Sequence, residues 1–600
     1  MEVSSSATTG HEYYSRCFPS EVALGLLTYD HTAITVSVYS APTLLVQEGK
    51  KMNLLRLPHE LLVCILLSLD PSDLLACGLV CRGLNGILGT PALKHKILLA
   101  KTGMRQATTG KLSLLDGIKA LEEYQIAWRS LPPTTDSSPH TAQHDSLRYP
   151  RFAGDALALL SGATLRLFRP SCSIRRVQPQ TWSIDLSVAQ LEIHYCAVDS
   201  SQGLVAISGV DLSSPESMQC HLISLSGTSL RSYHPQAAVH AFTTPTYAAY
   251  AYSRKIAVYG DLVGWMWRDR LDRLRVYNWK TGALIWQCHS TSYTVCFAFL
   301  DETRLLVACE KALRIYVIDP HARVDPWHPT PTDYSPPICM LELPPLSSTD
   351  ASSDTMMLES QRPVANGDVA FEREASLTVL AMLFLAHTAS SIERYLFVIP
   401  VATLLGCLSS NLDKNTPHAV PPYSPLSIPW DSWGASCGCL FPILKVYDYM
   451  PVGLSVMGST CAIMATSGDL ATLDAFVFDF HALAHPESTA NDDREILAHF
   501  MDGSRVVRSA KLLRDPIRNT LPYRVVHKTI AYNDDPDFAA AVTSHSFTLL
   551  EDGLAVVVCV SIGDEYMCSM TLLYQSTTME KDMWRLRLFA VDKPIQNKSI

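Results

Sequence analysis

The side chains best suited to chemistry in this chain are its cysteines. Cys437 and Cys439, in the stretch CGC, would present two thiols to one point, as a metal site requires. A structural zinc site needs four ligands, and no second Cys or His pair follows at the required spacing. Cys77 and Cys81 lie one helical turn apart, and for both pairs burial in the core is the simpler interpretation. We therefore expect neither a metal nor another cofactor.

No catalytic motif is recognisable. The stretch ATTGKLS around Gly110 and Lys111 resembles part of a phosphate-binding loop, but it lacks the first glycine and a Ser or Thr directly after the lysine. There is no G-x-S-x-G elbow and no H-E-x-x-H motif. His289 is one of several dispersed histidines, which favours a structural role. We expect a protein without catalytic residues, the alternative being an enzyme whose site follows no known motif.

One basic segment has a composition that suits anion capture. Clustered arginines bind carboxylates or phosphates through paired hydrogen bonds, so we treat this segment as a candidate target-binding site. Basic side chains on a solvated edge strand explain the same pattern. The candidate residues are Arg505, Arg508, Lys511, Arg514 and Arg518. A second charged stretch, WRDRLDRLR at Trp267–Arg275, alternates in sign and is interpreted as ordinary charged surface.

Composition limits the class of protein. The chain has 600 residues, of which 48% are hydrophobic, enough for one large and one small domain. Its formal net charge of -10 argues against nucleic acid or an anionic membrane as partner. The 17 cysteines follow no disulfide framework and no signal peptide precedes them, so we expect reduced thiols and an intracellular protein of the cytoplasm or nucleus. The apolar runs Leu377–Ala386 and Tyr395–Leu408 are too short or interrupted by proline for a membrane span, and both are interpreted as buried strands.

The first part of the chain is predicted to be helical. Residues 1–50 are rich in Ser and Thr and are predicted to be a disordered tail. Residues 54–130 follow with helical periodicity. The first helix would end at Asp70-Pro71, and the second would be capped by Ser72 and run through Ile87. The third would start at Thr90-Pro91 and end at Gly103, and the fourth would carry Leu114, Ile118, Leu121 and Trp128 on one face.

The remainder is predicted to be all-β. Residues 131–147 are predicted to be a linker, and residues 148–592 a β domain with insertions at 326–368 and 413–429. LRVYNW at Leu274 recurs as LRIYVI at Leu313, 39 residues later, with a Thr281-Gly282 turn between them. This layout is typical of a propeller blade, so we predict an α+β multidomain chain in which a small all-α unit precedes a large all-β domain, a β-propeller. A β-sandwich is the alternative.

The helix RLPHELLVCILLSLD is apolar nearly all round, so it must be covered from more than one side. Either its neighbours bury it or another protein does. The longer stretch LPHELLVCILLSLDPSDLLACGLVCRGLN resembles the F-box in its Leu-Pro-x-Glu-Leu-Leu start, its Asp-Pro turn and its Leu-Val-Cys-Arg end. The resemblance covers about Leu54–Leu98. It departs from many animal F-boxes where an aromatic residue is usual, and Leu93 and Ile97 are expected to fill that edge of the interface.

The resemblance implies a fold, a partner and a set of contact residues. F-box proteins dock through a helical unit on the Skp adaptor of a Skp–cullin–F-box ubiquitin ligase, so the β domain would bind an unknown target protein. ALEEYQIAWRSL and IPWDSWGASCG also resemble, more loosely, F-box proteins common in mushroom-forming fungi. The alternative is an F-box scaffold acting outside a ligase. The residues that the resemblance places at the adaptor or in the interhelix core are Leu57, Pro58, Leu61, Leu62, Ile65, Leu66, Leu69, Leu74, Leu75, Leu79, Val80 and Cys81.

Overall fold

A computed structural model describes residues 54–107, 112–130 and 140–143, and most of residues 151–573. In the last range, the longest segments outside the description are 170–178, 325–335, 361–368, 415–424, 444–452, 482–505, 508–516 and 532–541. The predicted disordered tail, residues 1–50, also lies outside it. No helix in the described part of the chain is long and apolar enough to cross a membrane.

The helical unit follows a single 3-10 turn at Leu54–Arg56. Pro91 is the first residue of one helix, where a backbone N–H has no partner within the helix, so the N–H that proline lacks costs no hydrogen bond. Gly103, at φ 65°, ends the same helix, as predicted. A short strand precedes the last helix. The elements are α1 His59–Ser68, α2 Pro71–Val80, α3 Arg82–Leu88, α4 Pro91–Thr102, β1 Met104–Gln106 and α5 Leu114–Ser130.

The second predicted helix is divided in two. Helix α2 begins at Pro71, directly after Asp70, so the predicted cap at Ser72 was wrong. Cys81 has an extended backbone, and its Sγ accepts a hydrogen bond from the Leu84 N–H at 3.5 Å. This cap starts α3 in a new direction. The prediction of one helix through Ile87 therefore failed, because apolar spacing alone does not reveal a break.

The rest of the described chain forms six four-stranded sheets and one five-stranded sheet. We number these seven sheets as blades in chain order. Blade 1 is β3 Arg151–Ala153, β4 Ala156–Ser161, β5 Thr164–Arg169 and β6 Gln180–Asp185; blade 2 is β7 Leu191–Asp199, β8 Leu204–Asp211, β9 Ser217–Ser224 and β10 Ala241–Pro245. Blade 3 is β11 Tyr252–Tyr259, β12 Leu262–Arg268, β13 Asp272–Asn278 and β14 Ala283–His289; blade 4 is β15 Thr294–Phe299, β16 Arg304–Cys309, β17 Ala312–Val317 and β18 Cys339–Glu342, with β23 Leu426–Ile428 added. Blade 5 is β19 Ser352–Glu359, β21 Val379–Thr388, β22 Ser391–Pro400 and β24 Cys439–Pro442; blade 6 is β25 Gly453–Met457, β26 Thr460–Thr466, β27 Thr472–Asp479 and β30 Arg524–Ala531; blade 7 is β31 Val542–Leu550, β32 Gly553–Ile562, β33 Glu565–Leu573 and β2 His140–Gln143.

The blades close into a ring. The first strand of each blade contacts the first strand of the next, and β31 of blade 7 contacts β3 of blade 1. Strand β2 pairs with β33, so an early segment of the chain completes the last blade. The predicted propeller is confirmed and the sandwich is excluded. The predicted linker at 131–147 was wrong for His140–Gln143, which form this closing strand.

The internal repeat marks equivalent strands. Leu274 lies in β13 and Leu313 in β17, and each is the third strand of its blade. The turn after β13 contains Gly282 at φ 75°, a conformation that favours glycine. The predicted relation between the two stretches is therefore confirmed.

Two predicted insertions contain blade strands. Cys339, Leu341 and Leu358, in β18 and β19, are fully buried within the predicted insertion at 326–368. Leu426–Ile428, within the second, form β23 and pair in parallel with β18. The insertion predictions were wrong over these strands, because short strands among Pro, Ser and Thr give no clear alternation.

Further elements lie between the blade strands. The apolar run Leu377–Ala386 lies largely in β21, as predicted, but Tyr395–Leu408 is a strand only to Pro400 and then a helix. These additional elements are β20 Phe371–Arg373, α6 Val401–Lys414, α7 Trp430–Cys437, β28 Val506–Val507 and β29 Ile517–Arg518.

Candidate protein-interaction site

Helix α1 has an exposed apolar face and a buried one. Leu61 and Ile65, one turn apart, are 49% and 41% exposed. Leu62 and Leu66 are 4% and 2% exposed. The structure thus divides the residues that the F-box resemblance had grouped together. Pro58 is also exposed, and Leu57 and Leu69 are partly buried.

Helix α2 divides its apolar residues in the same way. Leu74 is fully buried, and Leu75 is partly buried, as is Cys81 just after the helix. Leu79 and Val80, at its C-terminal end, are 90% and 74% exposed. We call Leu61, Ile65, Leu79 and Val80 together the exposed leucine set. Exposed apolar side chains that form a contiguous patch, rather than lying singly, are typical of protein-binding surfaces.

A small core supports these helices. Its residues come from α1, α2, α3 and α4, and they are Leu66, Leu74, Leu84, Leu88 and Leu93. Leu93 is fully buried and Ile97 packs against the same core. Leu93 therefore belongs to the interior, and the prediction that it forms an edge of the interface was wrong, whereas Ile97 is only partly buried and its place at that edge stays a prediction.

Lys96 fixes the end of α1 from another helix. Its Nζ donates hydrogen bonds to the carbonyl oxygens of Leu67 and Leu69, at 2.6 and 2.7 Å. The last carbonyls of a helix lack partners within it and carry partial negative charge, so a lysine there is favourable. Nothing in the sequence indicated this role, because Lys96 belongs to α4.

The other half of the helical unit is completed by the propeller. Leu98 of α4, Met104 of β1 and Leu121 of α5 form one core with Ala370 and Phe371 of the segment between β19 and β21. Phe371 is 1% exposed. Strand β1 pairs with β20 through Met104↔Arg373 and Gln106↔Phe371. We call α4, β1, α5 and β20 the mount.

Polar contacts reinforce the mount. The Arg373 guanidinium donates to the Tyr124 hydroxyl at 2.8 Å, and the Glu374 N–H donates to the Gly103 carbonyl at 2.8 Å. His481, which follows β27, hydrogen-bonds the Ala100 carbonyl near the end of α4. The helical unit is thus held by blades 5 and 6 together.

Helices α4 and α5 approach closely at Gly117. A Cβ atom there would lie 3.0 Å from Nε2 of His95 and 3.6 Å from Cζ of Phe371. His95 is 8% exposed, and burial lowers its pKa, so the ring is neutral in the folded protein near neutral pH. A larger residue at Gly117 would therefore require His95 to shift by a few tenths of an ångström.

The other predicted site residues are the basic segment and the two cysteines of the CGC stretch. Arg505, Arg508, Lys511 and Arg514 lie outside the described residues, and Arg518 lies in β29, paired with Val506. Cys437 and Cys439 are both buried, and burial raises the pKa of the Cys437 thiol to about 11. In the part of the chain that the structure describes, no three His, Cys, Asp or Glu residues form a group suited to a metal ion.

Comparison with known proteins supports the assignment of the helical unit. Residues 54–100 match the F-box-like family. The chain therefore carries an F-box-like domain followed by a propeller. No curated protein matches the chain. BamB from Moraxella catarrhalis is 8% identical in sequence, and the structural match, with a TM-score of 0.27, covers 72% of this chain and 99% of BamB. The β-propeller domain of the Trilobed protease from Pyrococcus furiosus is 6% identical, covering 72% and 96%, with a TM-score of 0.30. Similarity at this level carries no conclusion about function.

Proposed function

We propose that this protein is the substrate-recognition adaptor of a Skp–cullin–F-box ubiquitin ligase, in which α1 and α2 dock on a Skp-family adaptor and the propeller holds a target protein. The observation that carries the proposal is the exposed leucine set within the F-box-like residues 54–100. Interface energy concentrates in a few central side chains, and four exposed apolar residues supply such anchors. The looser resemblance to fungal F-box proteins supports the same domain order.

The mount gives the propeller its part in this function. Because blades 5 and 6 hold α4 and α5 through a shared core and hydrogen bonds, the helical unit keeps one orientation on the propeller. A target bound on the propeller would then be presented at a fixed place beside the ligase. In this proposal no residue of the chain performs chemistry, and the rate gain comes from raising the local concentration of the target.

The test is co-purification of the chain with a Skp-family adaptor. A Leu61→Asp, Leu79→Asp double variant removes two exposed anchors without touching the buried Leu62 or Leu74, and we expect at least about thirtyfold weaker binding. The matched control is Leu115→Asp on α5, since Leu115 is 68% exposed but lies outside residues 54–100. Its binding should equal that of the wild type.

Two other results would change the proposal. Unchanged adaptor binding by the folded double variant would show that α1 and α2 do not form the interface. Adaptor bound without cullin would favour a scaffold acting outside a ligase.

A further inference from the structure

Side chains next to the connection between β12 and β13 in blade 3 form a cluster of ion pairs around buried carboxylates. Asp272 is 4% exposed. Both its carboxylate oxygens accept hydrogen bonds from Arg268, from Nε at 2.8 Å and Nη2 at 2.7 Å. Arg254, from β11, donates to the same carboxylate at 3.1 Å. The interpretation of WRDRLDRLR as plain surface was therefore wrong.

The acidic groups of this cluster face inward and the basic groups outward. Asp269 pairs with Arg273 at 2.9 Å. The side chains of Asp269 and Asp272 are 0% and 1% exposed, whereas those of Arg254, Arg268 and Arg273 are 16% to 29% exposed. Arg270, at the tip, is exposed. Four arginines against two buried carboxylates leave an excess of positive charge at the surface, in a chain whose net charge is -10.

An aromatic side chain adjoins these arginines. Tyr252, the first residue of β11, is 41% exposed and pairs with Arg268 in the register of β11 and β12. Leu212, beyond the end of β8 in blade 2, is 58% exposed. Among the described residues of the propeller, the exposed large apolar side chains are these two and Val317. We call Tyr252, Arg254, Arg268, Arg270 and Arg273 the arginine patch.

The arginine patch lies on the side of the propeller away from the helical unit. The mount uses β20, between the first and second strands of blade 5, and His481, after the third strand of blade 6. Successive strands of a blade run in opposite directions, so these connections share one end of the blades. The connections that follow second strands, β12–β13 and β8–β9, lie at the other end. Val317, at the end of a third strand, lies on the mount side.

We propose that the arginine patch is a docking surface for an acidic segment of a partner protein, bearing Asp or Glu side chains around an apolar residue. Arginine and tyrosine are the side chains that most often dominate binding energy at interfaces. Because the buried carboxylate of Asp272 already holds both Arg254 and Arg268 in place, little side-chain entropy is lost when an acidic partner binds. The inference deepens the proposed function, on which it rests, by placing target recognition on blade 3.

The test measures the fluorescence anisotropy of a short labelled peptide of Glu and Gly around one Leu, titrated with the full chain. We expect binding that weakens with added salt, and no binding of the same peptide with Gln in place of Glu. Arg270→Glu and Tyr252→Ala each change an exposed side chain and should weaken binding about tenfold.

The matched control is Arg323→Glu. Arg323 is an exposed arginine in the connection between β17 and β18, on the mount side, so the same change of charge there should leave peptide affinity unaltered. Failure of the wild type to bind the Glu peptide, or an equal loss in Arg323→Glu, would overturn the proposal. Neither result depends on the Skp co-purification, which probes α1 and α2 and so fails or succeeds separately.

Discussion

The two halves of the helical unit are both rich in leucine, yet they bury it in different ways. In α1 and α2, the exposed leucine set remains in contact with solvent, with Leu79 90% exposed. In α4 and α5, Leu98 and Leu121 are covered by Ala370 and Phe371 of the propeller. In one half these leucines are covered within the chain, and in the other the apolar side chains of the set stay exposed. The density of apolar residues therefore shows that a helix must be covered, but it does not show which molecule covers it.

The largest expected effect is a difference in unfolding free energy between variants truncated in the two halves. Phe371→Ala removes a ring that is 1% exposed in the core of the mount, so the free energy of unfolding should fall by about 3–5 kcal/mol. Leu61→Ala, on the exposed face of α1, should change it by less than about 0.5 kcal/mol. Urea unfolding of both variants provides the measurement. Equal losses would mean that α1 is also covered within the chain.

A smaller effect is expected at the junction between the halves. Lys96→Met keeps an unbranched side chain one atom shorter but removes both hydrogen bonds to the end of α1, which should cost about 2 kcal/mol. Amide hydrogen exchange in α1 should become faster, and adaptor binding weaker. The control is Lys94→Met, because Lys94 points instead to Glu122 in an exposed ion pair of 2.7 Å worth about 0.5 kcal/mol. Equally fast exchange in α1 in both variants would argue against this role of Lys96.

The smallest effect is a dependence of the mount on pH. Burial lowers the pKa of His95, so below about pH 6.5 the unfolded chain binds a proton that the folded chain resists. The stabilisation from neutral His95 is thus complete above that pH and is lost as the pH falls through the lower, folded pKa. Unfolding free energies compared at about pH 7.5 and 5.5 should show a smaller drop in His95→Gln than in the wild type. An identical drop in both would assign the pH dependence to other groups.

The sequence predicted a good part of the fold because several of its rules are local. Pro91 and Gly103 mark the ends of α4, since each restricts or permits backbone angles at one position. The recurrence of LRVYNW as LRIYVI indicated a blade repeat, since each stretch is the third strand of its blade. The order of residues from Leu54 onward was also sufficient to identify the F-box-like domain.

By itself, then, the sequence determined that residues 54–130 are helical, that the remainder is largely β, and that the chain carries an F-box-like domain, because these depend on residues close together in the chain. Only the tertiary structure decided which leucines are exposed, which strand closes blade 7 and which way Asp272 faces. Arg373 meets Tyr124 across 249 residues, and Arg105 meets Glu372 across 267. Contacts at such separations depend on how the whole ring closes, and they leave no periodic pattern in the segments that they join.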